Sequence, residues 1–310
     1  MTGSAVESER VRSLPNFLVI GAIKAGTTAL YHYLQQHEQV YLTPVKETRF
    51  FSFEGARPDF RGPGDRKLVN MDTICDLDTY AKQFYGVTRE IAIGEICPSY
   101  LYRPRSAERI QHHTPSVKLI AILRNPIERA FSHYVMRLRD GREPCSSFAE
   151  ALDDEDRRLR DNWGSGLYCD MGYYGRQLTP YFDRFPRKQI RVYLYEDYLA
   201  DPDALMADLF RFIGVDETVK LDMSVRHNVA GIIKNPIYRY LWTQTHGIRD
   251  LVRPLIPLRM RSVASDFFMN RDAIRPSFPE NIRARLAEQF REDIERLEVM
   301  IDRDLSHWLQ

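Results

Sequence analysis

Short apolar runs recur along the chain, each closed by a turn residue or a charge. Phe17-Leu18-Val19-Ile20 stands between Pro15 and Gly21, Val40-Tyr41-Leu42 ends at Thr43-Pro44, and Ile91-Ala92-Ile93-Gly94 ends at Glu95. Val117 to Leu123 (VKLIAIL) ends at Arg124, and Ile190 to Asp197 (IRVYLYED) alternates like a half-buried strand. Unbroken apolar runs of this length read as strands covered on both faces. Between them lie segments of helical period. Thr28 to Leu34 puts Ala29, Leu30, Tyr33 and Leu34 on one face. Helices are also predicted over 78–85, 105–113, from Pro126 onward, from Ser147, over the aromatic-rich 172–185, over 203–214 and in the long amphipathic stretch 277–309. Residues 54–72 (EGARPDFRGPGDRKLVNMD) read as a surface loop. Strands alternating with helices predict an α/β fold, a central parallel sheet flanked by helices.

The chain has 310 residues, 44% of them apolar and 28% charged, with a formal net charge of +1. That length suits a single domain over residues 15–310 behind a polar, disordered tail at 1–14. A near-neutral balance gives no global field for nucleic acid, so any anion site must be local. No apolar run approaches the roughly 20 residues that span a bilayer, and residues 1–13 lack a signal-peptide core. Cys75, Cys97, Cys145 and Cys169 are scattered. Together these features predict a cytoplasmic protein in a reducing compartment.

Three stretches carry candidate chemistry. Gly21-Ala22-Ile23-Lys24-Ala25-Gly26-Thr27-Thr28 joins the first strand to the first helix, the layout that aims backbone N–H groups and a helix N-terminus at a phosphate. It keeps the glycine spacing of the nucleotide-binding pattern G-x-x-x-x-G-K-[ST] but has Thr27 at the lysine position and its cation at Lys24. The VKLIAIL strand ends in Arg124 where a magnesium-using enzyme would have an aspartate, and an arginine there suits a phosphate directly. Pro126 fits the first turn of the following helix, and Ser132 lies about two turns in. The third stretch, Val45-Lys46-Glu47-Thr48-Arg49-Phe50-Phe51, sets a carboxylate just before aromatic anchors. His112-His113 are adjacent and point apart on a helix, so no metal site is assigned.

These motifs resemble those of sulfotransferases that use 3′-phosphoadenosine 5′-phosphosulfate (PAPS), above all the carbohydrate, heparan sulfate-like branch and its bacterial relatives. P-x-F-L-V-I-G-x-x-K-x-G-T-T is similar to their 5′-phosphosulfate loop, and L-R-N-P-x-x-R-A-x-S-x-Y to their 3′-phosphate segment. The resemblance implies a P-loop-type three-layer fold and sulfuryl transfer to a hydroxyl or amine of a sugar, lipid or other small molecule. It assigns Lys24, Ala25, Gly26, Thr27 and Thr28 to the 5′ side of the donor and Arg124 and Ser132 to its 3′-phosphate. It makes Glu47 the catalytic base and Lys24 the group that neutralises charge on the bridging oxygen, with no metal required. Arg49 departs from the family's usual histidine. Glu95, at a strand end in G-E-x-x-P-S-Y, either faces the crevice or is an arginine-paired structural residue. Lys234 is a candidate donor ligand in a closing loop or a solvated lysine. Residues 137–170 are a candidate acceptor lid, within which the mixed-charge run 153–160 reads as a solvated helix face; residues 247–262 read as a helix packed on the core. A P-loop small-molecule kinase and a non-catalytic nucleotide-binding module are the alternatives.

Overall fold

The computed structural model describes residues 14–223, 232–233, 273–274 and 277–310. The expected tail and the stretches 225–231 and 247–262 lie outside them. In chain order the elements are β1 (Phe17–Gly21), α1 (Thr27–Leu34), β2 (Val40–Leu42), α2 (Phe50–Phe53), α3 (Leu77–Lys82), β3 (Ala92–Ile96), α4 (Ser99–Tyr102), α5 (Ser106–His113), β4 (Lys118–Leu123), α6 (Pro126–Arg139), α7 (Phe148–Asp153), α8 (Glu155–Arg160), α9 (Tyr174–Phe182), β5 (Ile190–Leu194), α10 (Tyr195–Ala200), α11 (Pro202–Ile213), β6 (Ile232–Ile233), β7 (Ala273–Ile274) and α12 (Glu280–Ile301). They fall into two compact units.

The first unit takes Met1–Pro58, Asn70–Arg124 and Tyr174–Arg226. Its core is a five-stranded sheet in the order β2-β3-β1-β4-β5, parallel at every pairing. β1 is buried at all five positions, as its apolar run predicts for a central strand. Val19 is in register with Ile96 of β3 on one side and Ile120 of β4 on the other. From β1 the chain moves to β2 and β3 on one flank and returns to β4 and β5 on the other. The carboxyl ends of β1 and β4 therefore border the switch point at which open α/β sheets bind ligands. β5 is shorter than its alternating pattern predicts. It stops at Leu194 because Tyr195 begins a helix whose N-terminus is closed by Asp197, with the Leu194 N–H donating to Asp197 Oδ2 at 3.4 Å. α11 ends as predicted on Gly214, at φ 88°.

The second unit takes Asp59–Val69, Asn125–Tyr173 and His227–Gln310. Pro126 does open α6, and the Asn125 side chain caps it by accepting from the Ile127 N–H at 2.9 Å. The expected solvated face at 153–160 is corrected in part: Asp153, Asp156, Arg157 and Arg160 are exposed, but Glu155 and Arg158 are buried. Arg158 donates to both oxygens of the buried Glu143, at 2.9 and 2.6 Å, and Glu155 accepts from the backbone of Cys169 and Asp170. Paired in this way, charges can enter an interior that would otherwise reject them. The glycine-rich loop also hides a fixed point. Asp65 is buried and accepts from Gly62, Gly164 and Ser165 at 3.0, 2.6 and 3.0 Å. α12 stops at Asp302, at φ 55°, and a 3-10 turn over Ser306–Leu309 then buries Trp308.

Candidate active site

The loop after β1 is built around two left-handed residues. The Ala22 N–H donates to Ile122 O at 2.8 Å and ties the loop to β4. Lys24 has φ 69° and Gly26 has φ 101°. Gly26 is the N-cap of α1 and brings no side chain to it, and no acidic residue lies in the first turn. The Ala29 and Leu30 N–H groups donate to the Gly26 carbonyl at 2.9 and 3.2 Å, so the first-turn N–H groups left for a ligand are those of Thr27 and Thr28. Together with the Thr27 and Thr28 hydroxyls and the half-buried Lys24 they give the loop a run of donors and no carboxylate, a composition that suits an anion. A Cβ on Gly26 would stand 3.1 and 3.2 Å from the ring carbons of Tyr195. The Arg124 guanidinium lies over the same ring, 5.2 Å from its centroid. Tyr195 thus joins the Gly26 loop to Arg124 at the carboxyl ends of β1, β4 and β5.

Glu47 is also left-handed, at φ 62°, as is Arg49 at φ 60°. Each such non-glycine residue costs about 1–2 kcal/mol, and held strain of this kind clusters at functional sites. The Glu47 carboxylate is partly exposed, with Lys46 Nζ at 2.9 Å and Arg49 Nη2 at 3.6 Å. These two cations orient it. The Lys46 ammonium also stands 5.9 Å from the centroid of the Tyr31 ring on α1. Between the two strained residues lies Thr48, fully buried. Its N–H and hydroxyl both donate to Glu95 Oε1, at 2.9 and 2.6 Å. Its carbonyl accepts from the Ile74 N–H at 3.0 Å.

A fold of this kind is shared with known proteins. The crystal structure of a sulfotransferase from Alicyclobacillus acidocaldarius superposes with a TM-score of 0.75 and 32% sequence identity, covering 96% of this chain and 100% of that one. The chain belongs to the sulfotransferase family. The family model matches residues 67–218. The membrane-associated sulfotransferase kil1 of Dictyostelium discoideum is 36% identical over 284 residues, 66% of this chain and 56% of that protein. The mouse heparan sulfate glucosamine 3-O-sulfotransferase 3A1 is 25% identical over 216 residues, 68% of this chain and 48% of that protein. The chain thus spans about half the length of the curated relatives it matches. Among the described residues, no helix is long and apolar enough to cross a membrane.

Glu95 matches neither expectation for it. It is fully buried, so it does not face the crevice, and its hydrogen-bond donors are Thr48 and two tyrosines rather than an arginine. Tyr80 and Tyr100 donate to Oε2 at 2.9 and 2.8 Å. Burial pushes the Glu95 carboxyl above its ordinary value, against the hydrogen bonds from Thr48, Tyr100 and Tyr80 that favour the charged form. Burial likewise raises both phenols, with the Glu95 charge adding to it. The neighbouring Cys97 thiol is pushed up for the same reason, burial first, and is not activated as a nucleophile. Ser132 lies on α6 in the second unit, half-buried. Lys234 is outside the described residues. Sequence reasoning missed Tyr195 and Thr48. The one local signal for Tyr195 was an aromatic at the carboxyl end of a strand, and Thr48 was hidden inside the motif that supplied Glu47.

Proposed function

We propose that the chain transfers a sulfuryl group from PAPS to a hydroxyl or amine of an acceptor, a carbohydrate, lipid or other small molecule. The observation that carries this reading is the donor-rich loop headed by Gly26, with no acidic residue in the first turn of α1, tied to a strand that ends in Arg124 rather than in a metal-binding carboxylate. Ala25, Gly26, Thr27 and Thr28 hold the 5′-phosphate through backbone and hydroxyl donors. Arg124 holds the 3′-phosphate, and the resemblance adds Ser132 and Lys234 as further donor ligands. Bound there, PAPS supplies a sulfur electrophile joined to phosphate through one oxygen. Glu47 takes the acceptor proton as the acceptor oxygen or nitrogen forms its bond to sulfur. The sulfur–oxygen bond to phosphate breaks, and Lys24 stabilises the charge gathering on that oxygen. No residue in this scheme calls for a metal. Residues 15–310 act as one catalytic domain. A cytoplasmic location completes the reading, supported by four cysteines that are all free thiols.

The test uses 35S-labelled PAPS with a panel of oligosaccharide, phenol and primary alcohol, and follows inorganic sulfate release to water as well. Label should move to acceptor or water in a Glu47-dependent way, with Glu47→Gln lowering kcat by ~10²–10⁴. Calorimetric binding of adenosine 3′,5′-bisphosphate with no transfer to any acceptor or to water would instead mark a binding module.

A further inference from the structure

We propose that Glu95 is a positioning residue for the transfer: its buried carboxylate holds the Thr48 peptide and so sets the direction of the Glu47 carboxylate. This rests on the reading of Glu47 as the general base.

The argument begins with saturation. Glu95 Oε1 accepts from the Thr48 N–H and hydroxyl, and Oε2 accepts from Tyr80 and Tyr100. Each oxygen has two donors, and the side chain has no exposed surface. No capacity remains to take an acceptor proton, so Glu95 is not itself the base. Its donors are what a buried carboxylate needs to be tolerated at all. An apolar side chain would fill the same core site without needing any of them, so the carboxylate must be there for what it holds.

It holds the residue between two strained neighbours. Glu47 and Arg49 are both at positive φ, where a non-glycine chain relaxes unless its surroundings over-determine it. Thr48 is gripped on one side by Glu95 and on the other by the Ile74 N–H. Beyond it the chain is locked by the buried Phe50 and Phe51. Tyr80 serves both ends of this device, stacking on Phe50 at 4.3 Å between centroids and 11° between planes while donating to Glu95. With the Thr48 peptide fixed, the Cα–Cβ direction of Glu47 is fixed, and Lys46 and Arg49 set only the rest of the side chain. If Thr48 is released, Glu47 can fall back to negative φ and swing its carboxylate off the acceptor. A displacement of about 1 Å is enough to cost ~10²-fold in rate.

The experiment is a double-mutant cycle on kcat, with 35S-labelled PAPS as donor and water and the acceptor panel as receivers. Glu95→Gln should lower kcat by ~10²-fold, with KM for PAPS and affinity for adenosine 3′,5′-bisphosphate unchanged. In a Glu47→Gln background the same substitution should lower it no further, because both changes remove one function. Thr48→Val should give the same pattern, and Thr48→Ser, which keeps the hydroxyl, should restore the rate. If Glu95→Gln does not fold, the Thr48→Val and Thr48→Ser pair in both backgrounds decides. Wild-type kcat in both Glu95→Gln and Thr48→Val would overturn the proposal and leave the base intact. Deficits that multiply in the Glu47→Gln background would overturn it too, since Glu95 would then act on something other than Glu47. Near-normal kcat in Glu47→Gln alone marks failure of the base reading itself, and the positioning role falls with it.

Discussion

Gly26→Ala tests the phosphate corner at its tightest point. The backbone there has φ 101°, a conformation that costs an L-residue roughly 1–2 kcal/mol. The added methyl would also stand 3.1 Å from Tyr195 Cε2 and 3.2 Å from Cδ2, closer than carbon atoms pack comfortably. Tyr195 has little room to yield. The Arg124 guanidinium lies over its ring, and Tyr198 adjoins it at 5.7 Å between centroids. The strain therefore moves either the loop, with its N–H donors, or Arg124. Loss of one charge-assisted hydrogen bond to phosphate is worth about 1.5–3 kcal/mol, which weakens adenosine 3′,5′-bisphosphate binding by roughly 10- to 150-fold. Thermal unfolding should fall by roughly 2–8 °C for the 1–2 kcal/mol of backbone strain. Isothermal titration calorimetry and a melting curve read the two effects separately. A variant with wild-type Tm and wild-type nucleotide affinity would refute both the strain argument and the placement of phosphate at this corner.

Arg124→Ala should weaken adenosine 3′,5′-bisphosphate by roughly 10- to 150-fold, the value of a charged hydrogen bond. It should barely change binding of adenosine 5′-phosphate, and equal losses for the two nucleotides in a calorimetric titration would make Arg124 structural. Lys24→Ala should cut kcat by ~10² or more with only modest weakening of the desulfated nucleotide. Collapse of binding with normal kcat at saturation would assign Lys24 to the ground state instead. Glu143 supplies a pH test of the second unit. Burial pushes its carboxyl up, but hydrogen bonds from Arg158 and Tyr168 and the Arg158 charge outweigh that and leave it below the ordinary value. A carboxyl lowered in the folded state stabilises above its unfolded value of about 4.3. That contribution is lost as pH falls from there through the folded value. Glu143→Gln should destabilise by about 1.5–3 kcal/mol at neutral pH, the value of a charged hydrogen bond, since Arg158 loses its bidentate partner but keeps Asp154 at 2.9 Å and the Gly166 carbonyl at 3.0 Å, and it should flatten the acid dependence of urea unfolding below that pH. An unchanged acid slope would show that Glu143 does not control it.

Much of this protein was readable along the chain. The apolar FLVI and LIAIL segments read as strands covered on both faces, because such a strand has no polar side to show. Pro126 in the first turn of α6 and Gly214 at the end of α11 mark helix ends through their own backbone preferences, whereas the cap at Asn125 was seen only in the structure. The loop around Gly26 was legible as a strand-to-helix turn because a strand, a glycine turn and a helix N-terminus are neighbours in sequence as well as in space. Tertiary structure alone decided the partners of the buried polar groups. Thr48 and Glu95 are 47 residues apart, and nothing in either segment announces that one carboxylate will gather a peptide N–H, a threonine hydroxyl and two phenols. The same holds for Arg158 and Glu143, whose run of mixed charges looks like a solvent face until the pairing is seen. Periodicity tells which side of an element is apolar, and a motif tells which groups share a turn. Where a charge is buried depends on whether a distant segment brings enough donors or acceptors to replace its water, and that is settled only when the chain has folded.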